Sequence, residues 1–325
     1  MTRRSKARDQ DDPTPDDDDG SFSFPKERSL SDTWHDCIAC IRAAGVEGRD
    51  HQVAIAAMAA ARFRAMGRIP RLLLVAGPGQ GKSQFLRAVS QAMGREVISI
   101  AGTTLSPSGW EGLNLRTVVT PGLGRSVVAI DGIDSAVCMS PRVSGNSLDR
   151  IEHQAQDLLA LADGLLTPGH TPPLVATCTL PRLRIGDGSD ISPDALREAG
   201  MHASVASLWT PIYLPPLSPV EIGSIVVSRA NADAAITSGM CGYDVQWSAM
   251  ALRTLQRAAL TDPKGGVRLG LSLVARAIEN ALISAMAMGI RDSGRILISH
   301  EHVPAVPPSE PLPWVDHERG TYGVG

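Results

Sequence analysis

The sequence predicts an α/β fold, a mainly parallel sheet flanked by helices, followed by a smaller helical lid domain. Three observations predict it. Continuous apolar runs at 71–76, 97–100, 126–130, 174–178 and 212–214 alternate with helical or irregular stretches, the pattern of strands buried on both faces. The first run ends in a glycine-rich loop that opens directly into a helical pattern. After Pro215-Pro216 the spacing becomes helical, with Pro and Gly as punctuation.

In chain order, Asp9 to Gly20 holds seven Asp and no large apolar side chain, so residues 1–30 read as a disordered acidic tail. Ile38, Ile41, Val53, Ile55, Met58 and Phe63 recur at helical spacing, broken at Gly45 into two helices. The strand at 71–76 follows. Phe85, Leu86, Val89 and Met93 then mark a helix over 83–93, before the strands at 97–100, 126–130, 174–178 and 212–214. Residues 31–215 therefore read as one α/β domain. Helices are expected over 219–230, 245–260 and 270–288, with a short strand at 295–299, giving a helical lid domain over 216–303. Five prolines after Val303 make 304–325 an extended Pro-rich tail that carries Trp314.

Composition narrows the class of function. Net charge is −3 over 325 residues, which excludes a globally basic nucleic-acid coat. No apolar run approaches the roughly 18 residues of a membrane span, so no membrane role is expected. An acidic stretch stands where a secretory signal carries its apolar region. The cysteines (37, 40, 138, 178 and 241) are odd in number, which suits reduced thiols. A cytoplasmic location is expected.

The loop Ala76-Gly77-Pro78-Gly79-Gln80-Gly81-Lys82-Ser83 is of the phosphate-binding type and defines a P-loop NTPase core. Successive backbone N–H groups point at phosphate oxygens only where glycine permits the turn. Lys82 supplies a point charge for the β- and γ-phosphates, and Ser83, followed by Gln84, opens the helix with a hydroxyl suited to Mg²⁺. Ala76 stands where the strict pattern has Gly. ATP and Mg²⁺ are the implied cofactors. The run Val127-Val128-Ala129-Ile130 delivers Asp131 to the same sheet edge, as the metal-side carboxylate. Gly132 follows it, where many ATPases place a Glu that polarises the attacking water, and glycine cannot do that chemistry. Asp134 is the nearest substitute, so binding is better supported than hydrolysis.

Taken together these residues resemble the AAA+ ATPases, and within them the ClpX/HslU group of ring-shaped unfoldases, over about residues 45–290. Val46-Glu47-Gly48-Arg49-Asp50-His51-Gln52 resembles the "VIGQ" segment, which implies that Val46 and Glu47 lie against the adenine. The stretch from Ala101 to Gly112 resembles "DATTLTEAGYVGED", which implies a substrate pore loop at Gly109, Trp110, Glu111 and Gly112. Ile130-Asp131-Gly132-Ile133-Asp134 resembles "IDEID" with its Glu replaced. The segment from Gln156 to Gly164 resembles the "QALLKLIEG" helix, and Gly265-Gly266-Val267-Arg268 resembles the second sensor, implying that Arg268 reaches the γ-phosphate. Thr179 stands at the first sensor, where many members have Asn. The segment 206–211 lacks the family's arginine finger, with Arg197 and Arg182 as the neighbouring alternatives.

The resemblance implies a hexameric homo-oligomeric ring that remodels protein substrates by ATP hydrolysis, as an unfoldase or chaperone, with turnover slowed by Gly132. The competing reading is a nucleotide-gated scaffold or loader of the replication or transposition type. A basic stripe is expected for that reading, whereas Arg62, Arg64, Arg68 and Arg71 form only a small cluster of a solvated helix face. Nucleic acid is therefore not the expected partner. Cys37 and Cys40 form one pair where a zinc domain needs two.

Overall fold

The chain is described by a computed structural model over residues 29–105, 115, 126–139, 145–166, 170–180, 183, 190–260, 266–290 and 294–305. The strands β1 (Arg71–Val75), β2 (Val97–Ala101), β3 (Val127–Asp131), β4 (Leu174–Cys178) and β5 (Thr210–Tyr213) form one parallel sheet in the order β2-β3-β4-β1-β5. The apolar runs follow from burial on both faces. In β1, Leu73 and Val75 join one core while Leu72 and Leu74 join the other, and β3 divides Val128 and Ile130 from Val127 and Ala129 in the same way.

Each face is covered by helices. On one side lie α1 (Leu30–Ala43), α2 (Asp50–Met66) and α3 (Lys82–Ala92), burying Ile41, Val53, Phe63, Phe85 and Val89. Alanines 56, 57, 60 and 61 let α2 approach closely, and Gly67 in the left-handed region ends it. On the other side lie α4 (Asp134–Val137), α5 (Gly145–Ala162), α6 (Pro193–Glu198) and α7 (Ala203–Ala206), contributing Val137, Ala155, Leu158, Leu196 and Val205.

Beyond Pro215-Pro216 a helical group has a core of its own. It comprises α8 (Pro219–Cys241), β6 (Asp244–Trp247), α9 (Ala249–Ala259), α10 (Gly266–Ala287) and β7 (Arg295–Ile298), packed around Val226, Ala230, Leu255, Val274, Ala277 and Ile298. Its first helix continues past the expected 219–230 to Cys241, where Gly242 ends it. The helix expected over 245–260 begins only at Ala249, because Ser248 caps it by accepting from Ala251 N at 3.1 Å. The residues ahead of that cap are instead β6, which pairs in parallel with β7 through Val245 opposite Ile296. The expected strand near 295 thereby has its partner.

Among the described residues one helix is apolar and long enough by composition to cross a membrane, Val267–Ala287, with mean hydropathy 1.3. Its buried stripe, Leu273, Val274, Ala277, Ile278 and Ala281, is spent on the core of the helical group.

Candidate functional site

The sheet order gathers three distant segments at one edge. Val75 lies opposite Cys178 and Ile130 opposite Ala176, so the tip of β4 stands between the loop leaving β1 and the Asp131 end of β3. The loop is fastened there by Ala76 N, which donates to Cys178 O at 3.3 Å. Gly79 and Gly81 have φ of +73° and +72°, a region that favours glycine, and Gly81 sits at the N-terminus of α3.

Lys82 turns back over this loop and donates from Nζ to Ala76 O at 3.0 Å and Gly77 O at 2.7 Å. An ammonium has three donors, so one remains for a ligand. Burial pushes the Lys82 pKa down, opposed by the charges of Asp134 and Asp131, while Arg268 adds to the depression. An incoming anion answers that cost. Beside it, the Cys178 thiol is held well above the ordinary thiol range by its hydrogen bond with Cys138 and by burial, and so remains protonated.

Asp131 is oriented by a residue the motif reading did not single out. Thr177, fully buried, donates from Oγ1 to Asp131 Oδ1 at 2.6 Å and accepts from Gly132 N at 2.7 Å. Gly132 turns the chain with φ +78°, and its carbonyl accepts from Ser135 Oγ at 2.8 Å. The position where the resemblance expects Glu is thus a tight turn whose backbone is bound on both sides. Asp134 is held in turn by Thr179 N, which donates to its Oδ1 at 3.1 Å.

These groups line one cleft of about 590 Å³, formed by residues 78–84 with Asp131, Gly132, Asp134, Thr177 and Thr179. From the helical group, Val267, Arg268 and Leu271 of α10 line the same cleft. The structure therefore brings together the loop, both carboxylates, Thr179 and Arg268. Gln84 reaches the cleft and also donates from Nε2 to Ala44 O. Val46 and Glu47 lie outside its lining: Val46 is buried with its carbonyl bound by Arg42 at 2.9 Å, and Glu47 accepts from Ser224 Oγ at 3.1 Å. Arg197 is paired with Asp194 at 2.8 Å. Gly109, Trp110, Glu111, Gly112 and Arg182 lie outside the described residues.

The donor set fits a nucleoside triphosphate with a hard divalent cation. The loop and Lys82 suit phosphate, and the oxygens of Ser83 and Asp131 suit Mg²⁺. The family model for ATPases associated with various cellular activities (AAA) matches residues 72–185, from β1 past β4. Over these residues the chain is similar to that family. The match takes in the phosphate loop, Asp131, Thr177 and Thr179, so the matched segment supplies most of the cleft, with Val267, Arg268 and Leu271 beyond it. A comparison with curated proteins gives no match.

A second residue also escaped the motif reading. Arg49, at the N-terminal cap of α2, donates to Gln80 O of the phosphate loop at 2.8 Å and to Pro215 O at 3.0 Å. Burial lowers its pKa, and the nearby Glu221 and Tyr213 raise it. The two bonds span 31 and 166 residues of sequence, so no local pattern announces them.

Proposed function

We propose that the chain is an ATP-binding AAA+ protein that forms a ring and remodels protein substrates, with slow hydrolysis. The observation that supports it most is the shared cleft, where the phosphate loop and Asp131 face Arg268 from the helical group. In this reading Lys82 and the backbone N–H groups of the loop bind the β- and γ-phosphates, and Ser83 and Asp131 hold the metal. Bound there, Mg²⁺ neutralises charge on the phosphate oxygens. Thr177 holds the Asp131 carboxylate, Thr179 holds Asp134, and Arg268 adds a cation from the lid side. The ring and the unfoldase activity rest on the resemblance of the 101–112 stretch, with Trp110 as the side chain that grips a polypeptide.

Gly132 favours a second reading, a nucleotide-gated scaffold or loader in which binding orders an assembly and turnover is marginal. With no side chain at that position, Asp134 is the one further carboxylate lining the cleft among the described residues. Groups of this kind contribute several kcal/mol to the barrier, roughly thousand-fold in rate.

Titration calorimetry with MgATP tests the common part of both readings. Wild type binds, and Lys82→Ala loses about a hundred-fold in affinity, the loss of a charge-assisted contact. Size-exclusion with and without MgATP then tests the ring, since a strictly monomeric binder excludes it.

A further inference from the structure

Arg49 is the only non-glycine residue with positive φ among the described residues, at φ 53° and ψ 43°. A residue with a Cβ adopts that conformation at a cost in free energy, and it persists only where the surroundings hold it. What holds this one is a fork. One arm of the guanidinium donates to Gln80 O at 2.8 Å and the other to Pro215 O at 3.0 Å, while its Nε is buried with no hydrogen-bond partner. The side chain of the same loop residue makes a second bridge, because Gln80 Oε1 accepts from Leu217 N at 3.0 Å. Glu221, four residues further on, caps α8 and lies beside Arg49, close enough to Gly48 that a Cβ there would meet its Oε1 at 2.2 Å.

The bond to Gln80 O has a directional consequence. In a trans peptide the C=O and the following N–H point opposite ways, and no cis peptide occurs among the described residues. Anchoring Gln80 O on the Arg49 side turns the Gly81 N–H away from Arg49, and Gly81 lines the cleft that Arg49 does not. We propose that Arg49 is a positioning residue of the phosphate site: one arm presets the Gln80–Gly81 peptide with its N–H toward the phosphate, and the other fastens that peptide to the strap leading into α8. The inference rests on the nucleotide-binding reading above and adds to it. Loop and strap then share one side chain, so phosphate occupancy and the setting of the helical group are linked without passing through Arg268. The guanidinium holds its two arms in a fixed planar fork, and the single rotatable ammonium of a lysine does not reproduce that separation.

The test uses the full chain as wild type, Arg49→Gly and Arg49→Lys, with calorimetric titration of MgATP and of magnesium pyrophosphate, and the melting temperature of each ligand-free protein. Glycine accepts φ 53° without strain, so Arg49→Gly removes the fork while relieving the backbone. Expected is a fall of about ten- to a hundred-fold in affinity for both ligands, the loss of one charged hydrogen bond, with a ligand-free melting temperature equal to wild type or higher. Arg49→Lys falls in the same direction, and it carries the test should the glycine variant not fold. Wild-type affinity in the folded variant overturns the proposal. So does an affinity loss matched by an equal loss of ligand-free stability in both variants, which makes Arg49 merely structural. Failure of the wild type to bind either ligand instead defeats the nucleotide reading itself, a different outcome in the same experiment.

Discussion

Thr177 has one hydroxyl proton, and Asp131 takes it. Its oxygen accepts from Gly132 N, so the rotor is fixed from both sides inside a fully buried pocket. Replacing it with valine keeps the shape and removes both bonds. Thr177→Val leaves a part-buried N–H unpaired and releases the Asp131 carboxylate, at about 1–3 kcal/mol. A lowered melting temperature, together with a weaker dependence of ATP affinity on magnesium, is the expected result. Unchanged magnesium dependence would show that Asp131 needs no such support. Lys82, Asp131 and Thr179 were readable in the sequence because each belongs to a short motif at a strand end. Thr177 and Arg49 were not, since their partners lie 31 to 166 residues away and only the folded chain brings them together.

At the scale of elements, strand runs such as Leu72 to Val75 were legible because burial on both faces demands an apolar residue at every position. Strand β6 was not, because four residues ahead of a helix are too few to reveal a period. The start of α8 shows how an element end can be tested. Ser218 and Glu221 form a reciprocal capping box, with Ser218 N donating to Glu221 Oε2 at 2.7 Å. The Ser218 backbone N–H, then its hydroxyl, hold the Glu221 carboxyl below its usual 4.5. A depressed carboxyl contributes stability that is fully present above the ordinary value and is lost as pH falls through the lowered one. Glu221→Gln should therefore melt earlier than wild type at neutral pH, with the difference shrinking below about pH 4.5 in a pH series of melting curves. A constant difference across that series would mean the carboxylate charge plays no part.

For the whole molecule, the cleft joins two separately packed bodies, one centred on the sheet and one on the core of the helical group. Arg268 is exposed and contributes little to packing, yet lines the cleft opposite the phosphate loop. Arg268→Ala should leave the ligand-free melting temperature unchanged and weaken MgATP by about ten-fold, as loss of one charge-assisted contact. Hydrogen exchange should show ATP protecting both bodies in wild type, with protection of the helical group reduced in the variant and not abolished, since the Arg49 bonds to Gln80 O and Pro215 O remain. Undiminished protection of the helical group in the variant would show that Arg268 carries none of the coupling.

The connection between the bodies has its own mechanical consequence. Leu214 N still donates to Val75 O at 2.8 Å, so the sheet runs up to that residue, and then come two prolines with no N–H to extend it. Proline also fixes its own φ and restricts the residue before it. Any swing of the second body is thereby confined to a pivot a few bonds long, set against the rim of the cleft.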